Sequence, residues 1–401
     1  MIRMSLAEIA QAVGGRLHAL PHGVDPRSSV DGAVQTDSRE ITPGGIFFAK
    51  RGEVTDGHLF AAAAARQGAA LLIVEHPVEV ALPQILVSDT VVALGALAHR
   101  VVEAVRSRGR LKVVAVTGSN GKTTTKNLLA QILARTGTVV APQASFNNSV
   151  GAPLTALRIT EDTDFLVAEM GASHIGDISR LVAMEHPDVG IVLKVGMAHA
   201  GEFGGIEQTQ KAKSEMVTDL TPADVAVLNA DDPRVAAMAD LTRASVRWFG
   251  RDSAAQTRAV DVTSGIDGSR FTLDLSDGRR APVHLHVLGE HHVMNAVAAA
   301  AACDALGTPL DDIVAGIQSI TRAERWRMEV LGGGRGVTII NDAYNASPES
   351  MAAALKTLAR VTPPEGRSVA VLGMMNELGE YSDEEHDRIG LLAVRLGIDK
   401  V

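Results

Sequence analysis

The clearest sign of chemistry in the sequence is a glycine-rich loop between an apolar strand and a helix. The loop reads Gly118-Ser119-Asn120-Gly121-Lys122-Thr123-Thr124 and follows the apolar residues 113–116. Glycines in such a loop let backbone N–H groups close around phosphate oxygens, and the helix N-terminus adds positive potential. Lys122 can then reach the terminal phosphates, and Thr123 can ligate Mg²⁺. The first glycine of the general P-loop pattern is missing, but strand, loop, lysine and hydroxyl residue together predict a nucleotide-binding loop.

Two side chains further along could bring a metal to this loop. Glu169 ends a predicted strand over residues 165–168, and His199 follows another that ends near residue 193. In a parallel sheet, ligands collect outside the carboxyl ends of the strands, so both side chains are predicted to point into the crevice that holds the loop. Because Mg²⁺ prefers carboxylate, water and phosphate oxygens, Glu169 is the ordinary ligand and His199 the less usual one.

A predicted helix over residues 205–217 carries two lysines, Lys211 and Lys213. Beside metals and phosphates, a lysine is either a charge clamp or a chemically modified metal ligand. The residue types alone leave both interpretations open.

Length and composition limit the class of protein. The chain has 401 residues, enough for two or three domains, and its 46% hydrophobic and 21% charged residues are typical of a globular protein. A net charge of -9 without a long basic run argues against a nucleic-acid or anionic-membrane surface. The single cysteine, Cys303, excludes an intramolecular disulfide and a cysteine-based zinc site. Without a secretory signal or a stretch long enough for a membrane helix, we expect a cytoplasmic protein that does not insert into membranes.

The periodicity of apolar residues changes along the chain. Residues 1–108 contain short apolar segments separated by turns, whereas strands alternate with helices from residue 112, which predicts a mostly parallel sheet. Between residues 245 and 287 the period is two, as in antiparallel strands, and an Ala-rich helix follows over 291–306. A further βα pattern begins after residue 330, with a helix predicted to begin at Ser347-Pro348-Glu349, where Ser347 is the expected cap. A strand is predicted over 368–372, and the last residues resemble the entry to another strand. We therefore expect the last domain to be incomplete.

Six motifs in this order resemble the Mur ligases of peptidoglycan synthesis, from about residue 30 to the end. The motifs are Thr117 to Thr124, Ser145-Phe146-Asn147-Asn148-Ser149-Val150-Gly151-Ala152-Pro153-Leu154, Glu169-Met170-Gly171, His199-Ala200-Gly201-Glu202-Phe203-Gly204, Asn229-Ala230-Asp231-Asp232 and Asn341-Asp342-Ala343-Tyr344-Asn345-Ala346-Ser347-Pro348. The resemblance implies a three-domain α/β fold. A UDP-sugar-binding domain would span residues 1–108, a central P-loop ATPase domain with a mostly parallel sheet and a small antiparallel sheet 109–328, and a truncated Rossmann-like domain 329–401.

The resemblance also implies roles for individual residues. Lys122 would hold the β and γ phosphates, Thr123 and Glu169 one Mg²⁺, and His199 and a carbamylated Lys213 a second Mg²⁺, so that Lys122, His199 and Lys213 are the expected catalytic residues. In the nucleotide, the adenine would contact Asn295, a phosphate would contact Arg327, and the ribose would bind Asp342. The expected substrate-binding residues are Ser38, Arg39, Asn147, Asn148, Tyr344 and Asn345, with Ser38 and Arg39 near the uridine diphosphate.

The implied reaction is ATP-dependent amide-bond formation. Among Mur ligases the chain looks most like those that activate UDP-N-acetylmuramoyl tripeptide as an acyl phosphate and join it to D-Ala-D-Ala, acting as a monomer. The alternatives are a Mur ligase that adds diaminopimelate or lysine, a folylpolyglutamate synthetase, or a P-loop protein that only switches with nucleotide.

Overall fold

The computed structural model describes residues 1–18, 20–52, 54–143, 146–197, 200–252, 254–321, 324–332, 334 and 336–401. Within this part of the chain, contacts divide it into two compact units. The first comprises Met1–Val113, Thr138–Ala168 and Arg180–His186, and the second Val114–Gly137, Glu169–Ser179 and Pro187–Val401. His199 and Ser145, which belong to the motifs above, lie outside the described residues.

Strands and helices alternate over most of the chain. The strands are β1 (Met4–Ser5), β2 (Arg16–His18), β3 (Ser29–Val30), β4 (Val34–Gln35), β5 (Ile46–Phe48), β6 (Leu71–Val74), β7 (Gln84–Leu86), β8 (Lys112–Thr117), β9 (Val139–Val140), β10 (Phe165–Glu169), β11 (Val189–Val192), β12 (Val225–Asn229), β13 (Ser245–Gly250), β14 (Thr257–Gly265), β15 (Gly268–Asp274), β16 (Arg280–Leu285), β17 (Glu329–Gly332) and β18 (Thr338–Asn341). The α-helices are α1 (Leu6–Ala12), α2 (Ala61–Arg66), α3 (Thr90–Arg106), α4 (Lys122–Leu133), α5 (Gly151–Ala156), α6 (Asp177–Glu185), α7 (Ala200–Phe203), α8 (Ile206–Thr218), α9 (Pro233–Ala236), α10 (His291–Ala305), α11 (Leu310–Ser319), α12 (Pro348–Val361) and α13 (Ser382–Arg395). No helix in the described ranges is both long and apolar enough to cross a bilayer.

The first unit contains a five-stranded sheet in the order β2-β7-β6-β5-β4. Strands β4 to β7 run parallel, and β2 pairs antiparallel with β7. All residues of β5 and β6 are buried, as expected for short parallel strands covered on both faces. Apolar residues of β5, β6 and α2 share one core, which includes Phe47, Leu72 and Ala64.

The second unit contains the sheet that carries the predicted nucleotide loop. Its strands β14, β13, β12, β11 and β8 are parallel neighbours, and β15 and β16 extend the sheet in antiparallel register. This confirms the predicted mostly parallel sheet with a small antiparallel part. The antiparallel pairing expected from residue 245 is wrong for β13, which pairs in parallel with both β12 and β14. The Ala-rich α10 packs against α4 and against β12 and β13, and its alanines allow this close approach because they have little bulk. Cys303 is buried in the same helix.

The last part of the second unit has its own small core around Leu355, Met375 and Ile389. Helix α12 begins as predicted, with Ser347 as its N-cap and a proline in the first turn. The strand predicted over 368–372 is wrong, because the structure has only an isolated parallel bridge between Val369 and Lys400 there. Val371 is 94% exposed, so the apolar run lacks the neighbouring strands that would turn it into a sheet.

Candidate nucleotide-binding site

The loop between β8 and α4 has a backbone that requires glycine. Gly121 is the N-cap of α4 and has a φ of 89°, and a Cβ atom at this position would lie 2.4 Å from Asn295 Oδ1. Gly118 has a φ of 150° and approaches the backbone of Lys194. These conformations bring the loop close to α10 and to the end of β11, and side chains here would hold it away.

Lys122 is folded back over this loop. Its Nζ donates a hydrogen bond of 2.7 Å to the carbonyl oxygen of Gly118. Burial lowers the pKa of Lys122, while the nearby carboxylate of Glu169 acts in the opposite direction. The ammonium group is therefore already inside the loop, where phosphate oxygens would meet it.

Two oxygen donors lie together at the start of α4. The hydroxyl of Thr123 lies 3.4 Å from Glu169 Oε1, and both side chains are buried. A hydroxyl and a carboxylate are oxygen ligands of the kind that Mg²⁺ prefers, so the donor set fits the predicted metal. Glu169 reaches this place because Met170 pairs with β8: its N–H donates to the Val116 oxygen.

The structure distinguishes the two lysines of α8. Lys211 is exposed, whereas Lys213 is 2% exposed. Burial and, to a lesser extent, the positive charge of Lys122 together lower the pKa of Lys213 to about 7. The Lys213 ammonium group also lies 5.3 Å from the centre of the Phe203 ring. A buried amine of this pKa is a candidate for chemical modification and not a fully charged clamp.

The segment after β11 is fixed to the nucleotide loop. Ser119 Oγ accepts a hydrogen bond of 2.9 Å from the Gly196 N–H. The carboxylate of Asp232 accepts one of 3.0 Å from the Val195 N–H and also caps α9. Sequence reasoning found the motif that contains Asp232 but assigned it no role. Paired acidic residues directly after a strand were the available signal.

A cavity of about 990 Å³ lies in the second unit. Of the predicted nucleotide-binding residues it is lined by Asn120, Gly121, Thr124, Asn295, Arg327 and Asp342. Burial raises the pKa of the Asp342 carboxyl to about 6, against the effect of the hydrogen bond that it accepts from the Met328 N–H. The Arg327 guanidinium lies 4.0 Å from the centre of the Tyr344 ring. The structure thus brings six predicted residues from distant parts of the chain to one cavity.

Charged and imidazole side chains that sequence reasoning missed also line this cavity. Burial lowers the pKa of His291 to about 4 and that of His292 well below its usual value. His292 Nδ1 lies 3.3 Å from the Asn295 amide nitrogen, so the neutral ring can fix the orientation of that amide. Glu290 forms ion pairs with Arg251 and Arg360. Only the position of these histidines at the start of an Ala-rich helix could have drawn attention to them.

Four of the predicted substrate-binding residues belong to the first unit. Ser38 is buried, and Arg39 pairs with Asp37 at 2.5 Å, which lowers the pKa of Asp37 to about 2. Asn148 accepts hydrogen bonds from two backbone N–H groups at the start of α5, and Asn147 precedes it. In the second unit, the Asn345 side chain accepts a hydrogen bond from the Ala346 N–H. No described contact tests the roles of these residues in substrate binding.

Three family models match the chain. They are the "Mur ligase family, catalytic domain" over residues 32–135, the "Mur ligase middle domain" over 116–303 and the "Mur ligase, glutamate ligase domain" over 326–401. Together they cover most of the chain.

Individual relatives agree with these models. The UDP-N-acetylmuramoyl-tripeptide:D-alanyl-D-alanine ligase of Mycobacterium tuberculosis is 43% identical over 100% of this chain and 83% of its own length. The crystal structure of MurF from Acinetobacter baumannii has a TM-score of 0.90 at 32% identity and covers 99% of this chain and 84% of its own. MurF from Thermotoga maritima in complex with ADP has a TM-score of 0.80 at 30% identity, over 90% and 82%. This chain, with its three-domain fold, therefore belongs to the Mur ligase family.

Proposed function

We propose that this chain is an ATP-dependent ligase that adds D-Ala-D-Ala to UDP-N-acetylmuramoyl tripeptide in peptidoglycan precursor synthesis. The observation that carries the proposal is that Lys122 and Thr123, at the nucleotide loop, lie together with Glu169 at the end of β10. The 43% identical relative bears the name of this activity. We assign UDP-sugar binding to residues 1–108, ATP binding to 109–328 and closure over the nucleotide to 329–401. The protein would act as a cytoplasmic monomer.

The reaction has two chemical steps. An oxygen of the tripeptide carboxylate attacks the γ-phosphorus of ATP, ADP leaves, and an acyl phosphate forms. The amine of D-Ala-D-Ala then attacks the acyl carbon, the C–O bond to phosphate breaks, and the amine proton passes to solvent or to a basic group. The difficulty of the first step is charge, because an anion must approach a polyanion.

Residues at the loop would reduce this charge repulsion. Lys122 is held inside the loop by its bond to the Gly118 oxygen, so its charge needs no reorganisation when the phosphates arrive. Thr123 and Glu169 would hold one Mg²⁺, and His199 with a modified Lys213 a second. These ions would neutralise charge on the phosphates. Arg327 donates to the Thr123 hydroxyl at 3.4 Å and would reach the same phosphates.

The modification proposed for Lys213 is a carbamate. The ammonium group first loses one proton. The neutral amine then attacks CO₂, a C–N bond forms and a second proton is released, so that overall a cation becomes an anion. The buried position and the pKa of about 7 favour the neutral amine that this reaction needs. The nearby charge of Lys122 disfavours a second cation and favours an anion in its place.

One assay tests the function. ADP release is measured with ATP and UDP-N-acetylmuramoyl tripeptide, with and without D-Ala-D-Ala, and the products are identified by mass spectrometry. We expect an amide product only when D-Ala-D-Ala is present. A product with diaminopimelate, lysine or glutamate as the amine would instead identify one of the related ligases. ATP binding without any amide product would identify a nucleotide switch.

A further inference from the structure

The segment that follows α11 and leads into β17, residues 324–329, has a strained backbone. Trp326 has a φ of 65° and Met328 a φ of 50°, and neither is a glycine. Bulky residues rarely adopt this conformation, and it persists only where surrounding contacts hold it. Arg327, expected to contact a phosphate, lies between the two strained residues. Its direction therefore depends on what anchors the segment.

The segment is anchored to α4 at two points. Glu324 Oε1 accepts a hydrogen bond of 2.9 Å from the side-chain amide of Asn127 and lies 3.6 Å from Lys126 Nζ. One turn earlier on the same helix, the Arg327 guanidinium donates to the Thr123 hydroxyl. Between these two anchors, the backbone N–H of Arg327 donates to the backbone carbonyl oxygen of Glu324 and closes a tight turn. Glu324 thus sets the place from which Arg327 reaches the nucleotide loop.

The charge of Lys126 makes this anchor specific. Lys126 is 1% exposed, and a buried cation needs an anion nearby. Among the described residues, the carboxylate of Glu324 and, more weakly, that of Glu169 act on its charge. Without Glu324, the Lys126 ammonium group would attract the Glu169 carboxylate more strongly, because no second carboxylate would compete for it. Glu169 is the candidate metal ligand, so this attraction would compete with metal binding.

We propose that Glu324 is a positioning residue for ATP: by holding Lys126 and Asn127, it directs Arg327 to the nucleotide loop and keeps Glu169 available to the metal. The proposal rests on the proposed function, because it assigns Arg327 and Glu169 to the triphosphate and its ion. Glu324 itself is not among the residues that line the cavity.

The test compares three variants. Glu324→Ala removes both contacts, and Glu324→Gln keeps an oxygen for Asn127 but removes the charge. Asp312→Asn is the matched control, because Asp312 pairs with Arg135 just beyond the other end of α4. We expect the Kd of Mg-ATP, measured by calorimetry, to rise about tenfold in Glu324→Ala, on the scale of one charge-assisted hydrogen bond, and less in Glu324→Gln. The control should keep the wild-type Kd.

Steady-state kinetics and tryptophan fluorescence show whether the effect is positional. The KM for ATP should rise while the KM for the tripeptide stays constant, which a general loss of folding would not produce. In a Trp248→Phe background Trp326 is the only tryptophan. In Glu324→Ala, acrylamide should then quench Trp326 more than in the Trp248→Phe parent. Adding Mg-ATP should reduce this quenching by less than it does in the parent.

The outcomes separate this proposal from the proposed function. Wild-type values for ATP Kd and Trp326 quenching in both Glu324 variants would overturn the positioning role. If Glu324→Ala does not fold, the near-isosteric Glu324→Gln decides by the same two measurements. Because calorimetry needs no turnover, a wild-type protein that binds ATP but forms no amide would refute the ligase function alone.

Discussion

Lys213 lies on α8 with its amine buried, and this burial determines how much of the amine is available to CO₂. With a pKa lowered to about 7, about three quarters of the amines are neutral at about pH 7.5. At the ordinary value of 10.5, only about one in a thousand would be neutral. Burial therefore increases the reactive fraction several hundredfold, and between about pH 6 and pH 8 that fraction should rise about tenfold.

The assay uses ¹³C-labelled CO₂ at a constant dissolved concentration. Protein stripped of CO₂ at low pH and returned to a series of pH values should show a carbamate carbonyl resonance. The initial rate of its appearance should follow the neutral fraction. Ligase turnover should recover in parallel, because the new carboxylate would hold metal beside the phosphates. Lys213→Ala should lack the resonance and lose at least about a hundredfold in turnover, with partial rescue by short-chain carboxylic acids.

Lys211→Ala is the matched control, since Lys211 is on the same helix but exposed. It should keep both the resonance and the turnover. If wild-type protein at about pH 8 shows no carbamate that depends on Lys213, or if its rate of formation is independent of pH, the reasoning from burial is refuted.

Three further predictions follow from the site and the core. Lys122→Ala should lower turnover at least about a hundredfold, and near-normal phosphate release would contradict its role. Gly121→Ala would place a Cβ atom 2.4 Å from Asn295 Oδ1, so ATP binding measured by calorimetry should weaken while Gly176→Ala, at an open position, should not affect it. Glu185 is buried and its pKa is raised to about 8, so the folded protein keeps a proton that the unfolded chain loses near 4.5. Raising the pH through this window should therefore destabilise the wild type but not Glu185→Gln. The gap between their free energies of unfolding, measured by urea denaturation, should grow by about 1.4 kcal/mol per pH unit to the order of a few kcal/mol. A gap that stays constant with pH would show that the Glu185 carboxyl is not held neutral.

Local sequence patterns predicted most of the fold around the site. The apolar run before Gly118 and the Ser347 cap are local signals, and each produced the predicted element. The period of two between residues 245 and 287 correctly predicted the antiparallel pairing of β14 to β16, but β13 at its start pairs in parallel with both neighbours. The strand expected over 368–372 did not form because a strand needs partners, and among the described residues only Lys400 forms a bridge to it. An apolar run in the sequence does not by itself indicate whether neighbouring strands are present to pair with it.

The sequence predicted the nucleotide loop of the candidate site, but not the contacts that hold the loop and its neighbouring side chains in place. Lys122, Thr123 and Glu169 follow from motif spacing. The contact between Glu324 and α4 joins positions 197 residues apart in the chain, and no spacing rule covers that separation. The burial that separates Lys213 from Lys211 is likewise a property of packing, because two lysines two residues apart look alike in sequence.

The one thiol of the protein lies inside the helix that supports the nucleotide loop. Cys303 is fully buried among alanines of α10, and burial raises its pKa above the usual value, so an alkylating reagent meets neither an accessible sulfur nor a thiolate. Alkylation therefore has to wait until this helix separates from the sheet and from α4. Its rate in native buffer would measure how often α10 separates from α4 and the sheet. A decrease in that rate on adding nucleotide would measure how strongly ATP binding stabilises the packed state.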